Sequence, residues 1–194
     1  MPVDSTPVTD QPIDAELTEH DFARIGEVMV HASTLENLLI ILAAVMLWQA
    51  RSEGGIDAAS IRDEVQDGLR GETAAVSLRT CRLYSHVLEP VVTAEFLQNL
   101  WDDCAQLFER RNAIAHSFWE RTADGRVVAR RALPRHKVED GVEFVSVGGT
   151  LDEMGALRDQ FSAAMSDVRR LLDEMWPGTW QGTAALALRP SSMG

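Results

Sequence analysis

The residues best suited to chemistry are Arg111, Asn112 and His116, within the run Glu109-Arg110-Arg111-Asn112-Ala113-Ile114-Ala115-His116-Ser117-Phe118-Trp119. A histidine titrates near neutrality and can move a proton, and an arginine can hold a phosphate or its developing negative charge. RNA cleavage asks for little more: a base for the 2′-hydroxyl, an acid for the leaving oxygen and positive charge near phosphorus. No metal or cofactor is needed in principle, and none is expected. Leu97, Cys104, Arg111 and Phe118 stand seven residues apart and so share one stripe of a helix, in which Arg111 is the only polar member. A charge in an apolar stripe needs a partner, because an unpaired buried charge is costly. Asn112 and His116 are four apart, hence neighbours on one face. Arg111 and His116 are separated by about 140° on an ideal helix. They can converge only if the helix bends or if a second copy faces it across a two-fold axis.

A structural reading stands beside the chemical one. Glu36, at the edge of an earlier helix's apolar stripe, is the candidate for supporting or structural pairing with Arg111. Asn112 and His116 would then satisfy the helix end or the chain turning away from it.

The elements that must position these residues read as a mainly α, up-and-down bundle of about five helices. Thr18-Glu19-His20-Asp21 resembles a capping box and predicts a first helix with Phe22, Ile25, Val28, Met29, Ala32, Leu35 and Leu39 inward. From Leu38 to Trp48 that helix is apolar all round, as a covered central helix would be. This run is eleven residues long, short of the roughly twenty that a membrane span requires. A second helix is predicted at 58–69 with Ile61, Val65 and Leu69 on one face. A third spans 73–88 with Val76, Leu83 and Val87 inward. Thr93 caps the helix that carries the triplet, whose seam runs from Phe96 through Trp101 and Phe108 to Phe118. Two β-branched runs around 126–148 predict a small hairpin inserted before a last helix, Leu151 to Met175, and Trp176-Pro177-Gly178 stops that helix.

Residues 1–17 are Pro, Asp and Thr-rich and lack the basic and apolar regions of a signal peptide, so they read as a disordered arm. The domain is expected to span 18–176, with a flexible tail at 177–194. Cys81 and Cys104 both fall in apolar helical patterns and read as buried thiols, which suits a reducing, cytoplasmic compartment. The net charge of −12 opposes nonspecific binding to nucleic acid or to an anionic membrane. The dense basic cluster that includes Arg126, Arg130 and Arg131 is the candidate RNA contact, against the plainer reading of a solvated hairpin. His20, His31, His86 and His136 are scattered, with no spacing suited to zinc.

The run Arg111-Asn112-Ala113-Ile114-Ala115-His116 resembles the R-N-x-x-x-H signature of the HEPN superfamily, in which four to six residues separate the arginine from the histidine. The stretch Thr34-Leu35-Glu36-Asn37-Leu38-Leu39 is similar to the opening helix of many such bundles, and the resemblance covers roughly 18–175. It implies a homodimer with the motif helices near the two-fold axis and, in many members, metal-independent endoribonuclease activity in toxins or defence effectors. His116 would be the acid or base, Arg111 the phosphate-binding partner and Asn112 an orienting group. Other members are inactive binding or dimerisation modules, and the resemblance names no antitoxin or regulator. In one branch a tyrosine two residues after the histidine accepts nucleotides. Phe118 stands there in this chain, which disfavours that mode of control.

Overall fold

A computed structural model describes residues 17–52, 73–122, 124–132 and 144–175. Within them lie four α-helices: α1 (Glu19–Ser52), α2 (Ala74–Leu83), α3 (Ala94–Ala115) and α4 (Glu153–Met175). A 3-10 turn at Ser85–Val87 follows α2, and strands β1 (Phe118–Arg121), β2 (Val127–Ala132) and β3 (Phe144–Thr150) lie between α3 and α4. The chain is therefore mainly α with a small antiparallel sheet, as the sequence pattern predicts. The helix expected at 58–69 lies outside the described residues, as do the N-terminal arm to residue 16 and the chain beyond 175.

α1 begins where the Thr18–Asp21 pattern places it. The Thr18 amide donates to Asp21 Oδ2 (2.8 Å), and the Asp21 amide donates to Thr18 Oγ1 (3.2 Å). This reciprocal pair satisfies two of the donors that a helix start leaves open. At 1.5 Å per residue α1 is about 50 Å long, and it touches α2, α3 and α4. Leu35, Leu39, Leu42, Ala43 and Met46 are fully enclosed. α1 is also the one described helix long and apolar enough to cross a membrane, with a mean hydropathy of 1.8 over its most apolar window, of which 44% is buried inside the bundle. The ion pairs Arg24–Asp152 and Glu27–Arg158 set the start of α1 beside the start of α4.

Phe22, expected inward, is 60% exposed. The larger correction concerns α2. Val76 and Leu83 are 37% and 67% exposed, and Ala74, Ser77, Leu78 and Cys81 form the buried face instead. Ala74, Ser77 and Cys81 are small and share one face with Leu78, so that face packs close against α1 and leaves Val76 and Leu83 outward. The helix also stops at Leu83, and Val87 lies in the 3-10 turn.

α3 starts as predicted, with Thr93 Oγ1 accepting the Phe96 amide at 3.2 Å. It ends before Phe118. The Ser117 hydroxyl bonds the Ala113 carbonyl and its amide donates to the Ile114 carbonyl, which closes the last turn as the chain leaves the helix. Phe118-Trp119-Glu120-Arg121 then forms β1, so the expected two-stranded hairpin is a three-stranded sheet in the order β1-β2-β3. Phe118 pairs with Arg130 and Arg121 with Val127 across β1 and β2. Gly125, at φ 85°, makes the left-handed turn between them, which a residue with a Cβ adopts only under strain. The pairing of β2 with β3 is irregular between Val128 and Arg130. Val127 and Ala129 are buried. On α4, Met154, Leu157, Phe161, Ala164, Met165, Val168, Leu171 and Leu172 face the core, as the sequence pattern predicts.

Candidate functional site

Arg111 lies in the last turns of α3 and reaches across to α1. Its Nη2 donates to Glu36 Oε2 at 3.0 Å, and each of the two side chains is 22% exposed. The Phe108 ring, one turn earlier, lies 5.8 Å from the guanidinium carbon, within reach of a cation–π attraction. Arg111 Nε is buried without an acceptor. No hydrogen bond joins Nη1 to another described residue, and the side chain as a whole keeps 22% of its exposure. Glu36 has a second task that the sequence does not announce: its Oε1 accepts the Ala74 amide at 2.8 Å and so caps α2. One carboxylate thus joins α1, α2 and α3.

Asn112 and His116 are both exposed. His116 is the C-cap of α3 (φ −102°, ψ 10°), and its backbone amide donates to the Asn112 carbonyl at 3.1 Å. Neither side chain has a partner among the described residues, so neither caps the helix nor braces the turn into β1. The structural pairing considered for Arg111 is present, and the structural roles considered for Asn112 and His116 are not.

The sheet spends much of its positive charge internally. Arg130 pairs with Glu120 across β1 and β2, and Arg126 pairs with Asp124 at 2.7 Å. The Arg131 side chain, His136 and Lys137 lie outside what the structure describes. Arg121, which the sequence reading does not single out, pairs with Asp21 and ties β1 to the start of α1. The Asp21 carboxyl is held below its ordinary value, first by the Thr18 amide. Burial opposes this shift, and the Thr18 hydroxyl and the Arg121 charge assist it.

Elsewhere, a pocket of about 190 Å³ is lined by Arg82, Ser85, Ala94, Leu97, Gln98 and Trp101, at the opposite end of α3 from the motif. The Trp101 indole there donates to the Ser85 hydroxyl at 3.0 Å, and its ring is buried in the core. Trp119 packs against the core, whereas Trp176 and Trp180 lie outside the described residues. Among the described residues no group of three or more His, Cys, Asp or Glu side chains could hold a metal ion. Cys81 and Cys104 are buried free thiols. Burial pushes the Cys81 thiol up strongly and the Cys104 thiol up to about 12, with nearby carboxylates adding to the latter. Comparison with protein-family models, curated proteins and solved structures found no match to the chain.

Proposed function

We propose that this chain is a metal-independent endoribonuclease that acts as a cytosolic homodimer, with a HEPN-like site built from Arg111, Asn112 and His116 of two protomers. One observation carries the reading. Asn112 and His116 are exposed one helical turn apart with no partner among the described residues, beside an ion-paired arginine whose side chain is still 22% exposed. Polar side chains without structural work, next to a held cation, fit a site that waits for a ligand.

In the proposed reaction His116 of one protomer takes the proton of the RNA 2′-hydroxyl. The 2′-oxygen bonds to phosphorus, the bond from phosphorus to the 5′-oxygen breaks, and the partner's His116 protonates the departing oxygen. The products are a 2′,3′-cyclic phosphate and a free 5′-hydroxyl. Arg111 balances the charge that grows on the phosphoryl oxygens, and Asn112 orients the phosphate. The dimer supplies what one helix cannot, since Arg111 and His116 diverge on α3. The test is RNA cleavage in EDTA by the wild type and by His116→Ala, with cleavage expected only from the former.

A second reading is favoured by a different observation. The Arg111–Glu36 ion pair, with Glu36 also capping α2, is what a non-catalytic dimeric interaction module would use to fix its own fold. The net charge of −12 suits that reading as well. Absence of RNA cleavage by a folded dimer under all conditions would select it.

A further inference from the structure

We infer that Glu36 is a positioning residue for the proposed reaction, holding the Arg111 guanidinium in the one orientation in which it meets the phosphate. The inference rests on the endoribonuclease reading above. Three facts define the geometry. Glu36 Oε2 takes Arg111 Nη2 at 3.0 Å, Arg111 Nε is enclosed without an acceptor, and Glu36 Oε1 is itself fixed by the Ala74 amide at 2.8 Å. A guanidinium has a rigid planar fork, so fixing one nitrogen and enclosing another sets the direction of the third. Glu36 takes one of the two Nη2 hydrogens, so the Nη hydrogens that remain are the ones a phosphate can use. The enclosed Nε–H lacks the bond that would make this orientation favourable by itself. Glu36 therefore maintains an orientation that a free arginine would abandon, and it does so from a carboxylate anchored to a third helix. Such an arrangement serves the transition state more than substrate binding, because orientation lowers the barrier without adding a new attraction to the ground state.

Glu36→Gln separates the two tasks of this side chain. Glutamine has the same shape but a single oxygen, which the Ala74 amide can keep, and its amide group turns an N–H toward Arg111 in place of an acceptor. The comparator is Asp102→Asn, which removes another ion pair between α2 and α3, Arg82–Asp102 at 2.7 Å, in the first half of α3. Steady-state cleavage of a fluorogenic RNA by the full chain in EDTA is measured for all three proteins. We expect Glu36→Gln to lower kcat about tenfold or more with KM within about threefold, and Asp102→Asn to match the wild type. Wild-type kcat in Glu36→Gln, a change confined to KM, or an equal fall in Asp102→Asn would each overturn the assignment. If Glu36→Gln fails to fold, Arg111→Lys tests the same geometry. A lysine presents one nitrogen, which Glu36 would capture, so kcat should fall as far, and wild-type kcat there would refute the inference. An inactive wild type would instead remove the ribonuclease reading, and this inference with it.

Discussion

Arg111 and Glu36 should be energetically coupled, and the coupling can be measured without any assumption about activity. A fully buried pair broken at one partner costs about 3–5 kcal/mol, whereas an exposed pair is worth about 0–1 kcal/mol. With each side chain 22% exposed, the pair falls between these limits. Glu36→Gln leaves the guanidinium without its counter-charge and should cost about 2 kcal/mol. Arg111→Met leaves Glu36 still bonded to the Ala74 amide and also removes the unsatisfied Nε–H, so it should cost less, about 1 kcal/mol. The double variant should cost about 1.5 kcal/mol, which gives a coupling of about −1.5 kcal/mol. Urea unfolding of the four proteins at neutral pH measures this directly. In thermal unfolding, for a chain of this size, the Glu36→Gln melting temperature should fall by about 4–8 °C. A coupling smaller than about 0.5 kcal/mol would place the pair with ordinary surface contacts and refute the claim that it joins three helices.

Two further predictions concern the rest of the fold. The Asp21 carboxyl lies below its ordinary 3.8 in the folded chain, so its stabilising contribution is complete above that value and is lost as pH falls through the lower folded value. The stability gap between wild type and Asp21→Asn should therefore be constant from about pH 5 to 8 and close on further acidification; a gap that widens in acid would contradict the Thr18 and Arg121 contacts. Cys81 and Cys104 are buried with their thiols pushed up, Cys104 to about 12, so neither should react with iodoacetamide at pH 8 until the chain is unfolded in urea. Rapid alkylation of the native protein, followed by mass spectrometry, would show that the α2–α3 contact opens readily.

The sequence carries those parts of the fold that follow from local rules. The Thr18–Asp21 capping box and the Thr93 cap involve side chains within three residues of the amides they bind, so type and spacing suffice to place them. The inward face of α4 follows from one unbroken apolar period. The errors arise where distant packing decides. On α2, hydrophobicity ranks Val76 and Leu83 above Ala74 and Ser77, but close contact with α1 selects the small residues. Ile114 and Phe118 have a helical spacing by coincidence, and the chain leaves the helix between them to pair with β2. At the site, Glu36 is recognisable as a partner for Arg111 because an apolar stripe makes a lone charge conspicuous. Its bond to the Ala74 amide spans 38 residues, and the Arg121–Asp21 pair spans 100. No local pattern could connect either pair.

The most direct test of the proposed function is cleavage of a mixed-sequence RNA by the purified protein in excess EDTA, with products analysed for 2′,3′-cyclic phosphate ends. The account predicts that the wild type generates such ends and that His116→Ala, folded and dimeric, does so at least about 100-fold more slowly. Equal rates in the two proteins, or no cleavage by either, would contradict it.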